Sequence, residues 1–93
     1  MSFRIDRRVI EEDRVIVSIS GRVAAQNLDT LRSVLAEERR IVAIDLKEVL
    51  LIDHDAVTLL AVTEARGVEL RNCPAYVREW ITRARAQMNS DSL

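Results

Sequence analysis

The sequence predicts a small single-domain α/β protein in which helices pack on a mixed β-sheet, and three observations support this fold class. Its 93 residues suit one domain and not two. Hydrophobic residues make up 48% of the chain and charged residues 31%, a balance typical of globular proteins. Apolar residues recur at strand spacing in some segments and at helix spacing in others, in the order ββαβαβα. We expect one folded domain to span residues 1–88, and residues 89–93 to form a disordered tail.

Two strands joined by a tight turn are predicted near the start of the chain. The segment FRIDRRVIEE, residues 3–12, interleaves Ile and Val with charges, which indicates an exposed or edge strand. The segment RVIVSISG, residues 14–21, alternates more regularly, and Gly21 is expected to end it. Only Glu12 and Asp13 separate the two runs, so a hairpin is expected.

A helix and a central strand are predicted next. The segment NLDTLRSVLAEERR, residues 27–40, carries Leu and Val at helical spacing, and Asn27 can cap its N-terminus. The segment IVAIDL, residues 41–46, is a short apolar run typical of a central strand that is buried on both faces.

The rest of the chain continues the alternation of helix and strand. The segment DHDAVTLLAVTEARG, residues 53–67, predicts a second helix that Gly67 terminates. The segment VELR, residues 68–71, predicts a short strand. Residues 72–88 predict a third helix, whose apolar stripe is expected to face the core and consists of Val77, Trp80, Ile81, Ala84 and Met88. Strands that alternate with helices favour parallel pairs in the sheet.

The familiar motifs of enzymes and membrane proteins are absent from the sequence. Gly21 and Gly67, the only glycines, are too far apart for a P-loop or a dinucleotide-binding turn. One histidine and one cysteine, Cys73, leave no zinc motif, so we expect no catalytic residues, no cofactor and no metal. The net charge of −1 gives no reason to expect nucleic-acid binding. No apolar run could cross a bilayer, and the N-terminus lacks the features of a signal peptide, so we expect a cytoplasmic protein without membrane insertion.

The segment LLIDHDAVTLL, residues 50–60, places three ionisable side chains inside an apolar run. Asp53 and Asp55 suit the capped start of a helix, where free backbone N–H groups favour negative charge. His54 fits an exposed position, while a pH-sensitive contact and a metal ligand remain alternatives.

The segment IDLKEVLLIDHDA, residues 44–56, resembles the STAS domain of anti-sigma-factor antagonists, whose motif is close to Leu-Asp-Leu-Ser-x-Val-x-Phe-Ile-Asp-Ser-Ser-Gly. The matching residues are Asp45, Leu46, Val49, Ile52 and Asp53, and Gly21 matches the glycine that ends the second strand of the family. By element order the resemblance covers about residues 3–85. His54, Asp55 and Ala56 stand where the family has Ser-Ser-Gly, so Asp55 replaces the serine that a partner kinase phosphorylates.

The resemblance implies a non-enzymatic regulator that acts by partner switching, with Asp55 imitating a phosphoserine. The partners it implies are an anti-sigma factor, a switch-type protein kinase or another STAS protein, and a homodimer is possible. The expected contact surface consists of Asp53, His54, Asp55, Ala56, Thr58 and Leu59, flanked by Gly21, Arg22 and Val23. Two alternatives stay open: a STAS subunit of a membrane transporter complex, and a STAS domain that senses a small ligand or nucleotide.

Overall fold

A computed structural model describes residues 3–91, and over this range the chain forms a four-stranded sheet and three α-helices. The strands are β1 (Phe3–Glu11), β2 (Arg14–Val23), β3 (Ile41–Ile52) and β4 (Glu69–Arg71). The helices are α1 (Leu28–Glu37), α2 (His54–Ala65) and α3 (Ala75–Asp91), and a 3-10 turn (Ala25–Asn27) precedes α1. This architecture confirms the predicted mixed α/β fold.

The sheet has the strand order β1-β2-β3-β4. β1 and β2 form the predicted antiparallel hairpin, with a turn at Glu12 and Asp13. β2 pairs with β3, and β3 with β4, in parallel. The central strands β2 and β3 therefore belong to an α/β arrangement, while β1 is an antiparallel addition at one edge.

The central strands are longer than the sequence predicted. β2 does not end at Gly21 but continues to Val23, because Gly21 adopts a φ of +85° inside the strand and pairing resumes beyond it. β3 does not end at Leu46 but runs for twelve residues, and three register shifts accommodate it beside β2. One shift places Leu50 as an extra residue between the neighbours of Gly21 and Arg22. Such bulges redirect side chains at the end of a strand.

The core lies between one face of the sheet and the three helices. β2 contributes alternating buried residues, and α1 contributes the fully buried Leu31. α2 and α3 add further buried side chains, including Leu60 and Ile81. Burial of this apolar face fixes how the helices sit on the sheet.

Two helix ends differ from the prediction, and a third confirms it. Asn27 does not cap α1, because its Oδ1 accepts the backbone N–H of Ala24 at 3.0 Å. α1 ends at Glu37 rather than at Arg40, whose guanidinium instead donates to the Glu12 carbonyl at 3.0 Å in the hairpin turn. Gly67 follows α2 with a φ of +107°, which confirms the predicted terminator.

The third helix has the predicted length of 17 residues but is shifted along the chain, because it begins at Ala75 rather than at Asn72. α3 was expected to end at Met88, but it continues to Asp91. The predicted disordered tail covers residues 89–93, of which 92 and 93 lie outside the described residues. Within the described range, none of the helices combines the length and the apolar character needed to cross a bilayer.

Candidate functional site

The junction between β3 and α2 is held by hydrogen bonds around Asp53. The side chain of Asp53 accepts the backbone N–H of Asp55 at 2.8 Å, so Asp53 is the N-cap of α2. Its carbonyl accepts the N–H of Val57 at 3.0 Å, and its own N–H donates to the carbonyl of Val23 at 2.7 Å. The start of α2 is therefore anchored to the end of β2, and Asp53 has the capping role predicted for it.

The exposed residues at the start of α2 are His54, Asp55 and Thr58. Asp55 lies in the first turn, near the positive end of the helix dipole. The hydroxyl of Thr58 donates to the carbonyl of His54 at 3.3 Å, so Thr58 lies one turn inside the helix. Arg22 is exposed on the neighbouring strand, beside Leu51. His54, Asp55 and Thr58 therefore lie together on the first two turns of α2.

Other predicted contact residues are not accessible. Ala56 is fully buried because it faces the sheet three residues after the N-cap Asp53. Gly21 is buried between the neighbouring strands, and Val23 belongs to the core. Leu59 is only half-exposed and packs against the core. Ala56, Gly21 and Val23 support the surface from below instead of contacting a partner.

Four large apolar residues around the junction were not predicted as part of the site. Leu50 and Leu51 are 68% and 54% exposed, and Tyr76 and Trp80 are each 39% exposed. Trp80 therefore lies at the edge of the predicted stripe and not inside the core, whereas Val77 and Ile81 on the same stripe are fully buried. For the two leucines, the signal in the sequence was the unbroken apolar run from Val49 to Ile52. Side chains of a strand alternate between its faces, so a run of this kind cannot bury all its side chains on one face.

A hydrogen bond connects Leu50 to the third helix, and a ring contact continues from there along the helix. The hydroxyl of Tyr76 donates to the carbonyl of Leu50 at 3.3 Å. The rings of Tyr76 and Trp80 meet edge to face, with centroids 5.6 Å apart and planes at 85°. This geometry is the favourable arrangement for an aromatic pair, so the two rings hold each other in place.

A groove of about 430 Å³ extends this region between α2 and α3. His54 and Thr58 line it from α2, and Trp80, Arg83 and Met88 are among the residues that line it from α3. We use the name α2-start surface for the exposed residues at the end of β3, at the start of α2 and in the aromatic pair of α3: Leu50, Leu51, His54, Asp55, Thr58, Tyr76 and Trp80.

The remaining candidates for chemistry lie elsewhere or do not form a group. In the part of the chain that the structure describes, no three His, Cys, Asp or Glu side chains come together where they could hold a metal ion. Cys73 is half-buried against the core, and burial raises the pKa of its thiol. Its nearest charged neighbours, Arg78 and Glu64, belong to an ion-pair cluster between α2 and α3 rather than to the α2-start surface.

No protein-family model matches the chain, and no curated protein sequence matches it. The resemblance to the STAS domain consequently depends on the motif in residues 44–56 and on the order of the elements.

Proposed function

We propose that this chain is a protein-interaction module of the STAS type, an anti-sigma-factor-antagonist-like regulator that works by partner switching and not by catalysis. Its partner, an anti-sigma factor, a switch-type kinase or another STAS protein, would bind the α2-start surface. The resemblance suggests the partner class, and the exposed residues around the start of α2 support this choice of surface.

The observation that carries the proposal is the concentration of exposed apolar side chains at the start of α2. Four of the six large apolar residues that are exposed in the described part of the chain belong to this surface. Aromatic anchors such as Tyr76 and Trp80 are enriched among residues that dominate binding energies. Polar groups at His54, Asp55 and Thr58 border them, which is the usual composition of a protein interface.

Asp55 gives the surface a permanent negative charge in this proposal. It occupies the first turn of a twelve-residue helix, where free N–H groups and the dipole favour an anion. A phosphoserine at this position would carry about −1.5 to −2 charges and three acceptor oxygens. Asp55 supplies one charge and two oxygens, so it would imitate the charge of the phosphorylated family state more closely than its shape.

One alternative function has a structural observation in its favour. The groove beside Trp80 falls within the size range of roughly 300–1,000 Å³ that small-ligand sites occupy. A small-ligand or nucleotide sensor would use this groove, and quenching of Trp80 fluorescence on titration with nucleotides would be its signature. The transporter-subunit alternative would use the same α2-start surface with a different partner.

The experiment compares Asp55→Asn and Asp55→Ser with the wild type. The partner is first captured with the tagged chain and identified by mass spectrometry, and its affinity is then measured by calorimetric titration. We expect the melting temperature to change little, because Asp, Asn and Ser are all tolerated at the start of a helix. We expect affinity to change roughly tenfold or more, since removing one side of a desolvated charge pair costs about 2–5 kcal/mol. A partner that prefers the unphosphorylated serine of the STAS family at this position would bind Asp55→Ser more tightly than the wild type.

The matched control is Asp29→Asn in the first turn of α1. Asp29 is also an exposed first-turn acid, but it lies on a different helix from the α2-start surface. Equal affinities for the wild type, the Asp55 variants and the Asp29 variant would reduce Asp55 to a helix-terminal charge and contradict its role in recognition.

A further inference from the structure

The outer side of β1 is an unprotected edge of the sheet. β1 spans nine residues and, within the described part of the chain, pairs only with β2. The opposite edge, β4, has only three residues, which leaves little backbone for pairing. β1 also exposes Val9 and Ile10, the two large apolar side chains that lie outside the α2-start surface. A long edge with free N–H and C=O groups can pair with another chain when the side chains permit it.

The two faces of β1 follow from its register with β2. Ile5, Arg7 and Val9 lie opposite core residues of β2, so they share the face that the helices cover. Asp6 and Arg8 lie on the other face, because successive residues of a strand alternate. Any pairing along this edge must match apolar residues on the first face and charges on the second.

We propose that two copies of the chain pair antiparallel along β1, with the twofold axis at Arg7, and so form one continuous sheet. In this register Asp6 of each copy lies opposite Arg8 of the other, which gives two ion pairs on the open face. Ile5 of each copy lies opposite Val9 of the other on the helix face, which gives two apolar pairs. Directly opposite side chains of these kinds stabilise a strand pair.

The neighbouring registers lack this complementarity. A twofold axis perpendicular to the sheet must pass between two copies of the same residue. Side chains that lie directly opposite each other point to the same face, and an axis midway between two neighbouring positions would pair residues from opposite faces. An axis at Asp6 would place Asp6 opposite itself and Arg4 opposite Arg8. An axis at Arg8 would place Arg8 opposite itself and Asp6 opposite Ile10. Both arrangements oppose like charges and lose the two ion pairs between Asp6 and Arg8, although the axis at Asp6 would place Phe3 opposite Val9.

The register at Arg7 also has unfavourable contacts, because Arg7 lies opposite Arg7 of the second copy and Arg4 of each copy lies opposite Ile10 of the other. The ion pair between Arg4 and Asp6, 3.0 Å long and exposed, leaves Asp6 able to accept a second guanidinium.

β2 separates β1 from β3, so this pairing goes beyond the proposed function and leaves the α2-start surface free.

The first test uses complementary charge reversals and sedimentation velocity. The wild type should shift with concentration from a mass of 10.6 kDa toward twice that value. Asp6→Arg alone and Arg8→Asp alone should both be monomeric, because each variant opposes like charges across the axis. An equimolar mixture of the two variants should recover the dimer, since every cross-strand pair is then Arg with Asp. Circular dichroism of each variant checks that the monomer is folded.

The second test locates the axis by disulfide cross-linking in a Cys73→Ser background. A single cysteine at the axis faces its own copy, so Arg7→Cys should form the covalent dimer faster than Asp6→Cys or Arg8→Cys. A wild type that remains at 10.6 kDa at all concentrations, or a mixture of charge variants that stays monomeric, would overturn the β1 dimer. Faster cross-linking at position 6 or 8 would overturn the register.

Discussion

At Glu64, a single carboxylate joins α2 to two positions of α3. Its two oxygens accept from Arg78 at 2.7 and 3.1 Å, and Oε1 also accepts from Arg85 at 3.0 Å. These hydrogen bonds, first of all the pair from Arg78, lower the pKa of Glu64 below its ordinary value of 4.5, although partial burial opposes the shift. Bidentate pairing with a guanidinium combines strength with fixed geometry, so Glu64 sets how α3 lies against α2.

This ion-pair cluster should make the stability of the protein depend on pH in acid. Because the pKa of Glu64 is lower in the folded than in the unfolded state, its stabilising contribution is complete above about pH 4.5 and is lost as the pH falls through the folded pKa. We expect Glu64→Gln to lower the free energy of unfolding at pH 7. We also expect the variant to lose less stability than the wild type between neutral pH and pH 3, as measured by urea unfolding.

Glu79→Gln is the matched control for the pH series. Glu79 also pairs with an arginine, Arg83, at 2.7 Å, but both side chains are mostly exposed. Exposed ion pairs contribute little to stability, so this variant should follow the wild type. Identical pH profiles for all three proteins would mean that the cluster at Glu64 does not stabilise the fold.

Individual residues differed in how well the sequence could predict them. The cap at Asp53 was predictable because capping depends on residue type and on the few residues that follow. The burial of Ala56 was not, because it depends on which side of α2 meets the sheet. The side chain of Asn27 had two local partners available, and it bonds back to Ala24 instead of capping α1.

At the scale of the element, α3 combines a buried side and an exposed aromatic side. Ile81 is fully buried, whereas its neighbour Trp80 keeps 39% of its surface exposed. We expect Ile81→Ala to cost about 2–5 kcal/mol of stability. Trp80→Ala should cost clearly less than the roughly 3–5 kcal/mol of a buried aromatic, yet it should weaken binding of the partner. Urea unfolding followed by circular dichroism and calorimetric titration would separate the two effects.

If both variants lost the same stability and Trp80→Ala bound the partner as well as the wild type does, Trp80 would be a core residue and not part of the interface. The helical spacing of α3 predicted a single stripe because positions 77, 80, 81, 84 and 88 share one side of a helix. A stripe this wide extends beyond the contact with α2 and the sheet, so the residue at its margin remains partly exposed.

The end of β3 shows a second limit of pattern analysis. Residues 41–46 were predictable as a strand because a continuous apolar run indicates burial on both faces. The extension to Ile52 depends on pairing with β2 over register shifts, and these are properties of the assembled sheet. The exposure of Leu50 and Leu51, and with it the apolar part of the α2-start surface, follows from one of those shifts.

For the whole molecule, a single core predicts cooperative unfolding. One cluster of buried side chains includes residues from β2, β3 and all three helices, so no helix has a separate core that could survive alone. Small domains of this kind usually unfold in one step. Trp80 is the only tryptophan, so its fluorescence reports on α3, while far-UV circular dichroism reports on the whole chain. We expect the two signals to give the same midpoint and slope in urea.

Glu64→Gln makes this test of cooperativity more demanding, because it weakens only the ion pairs between α2 and α3. If the molecule unfolds as one unit, the variant must lower both midpoints together, since α3 cannot separate without exposing Val77 and Ile81 and opening the shared core. A fluorescence transition that moves to lower urea while the circular dichroism transition stays in place would show that α3 detaches first. The groove and the aromatic residues of the α2-start surface, Tyr76 and Trp80, would then be in place only while α3 is attached. A partner that binds Trp80 would also stabilise α3 against the sheet.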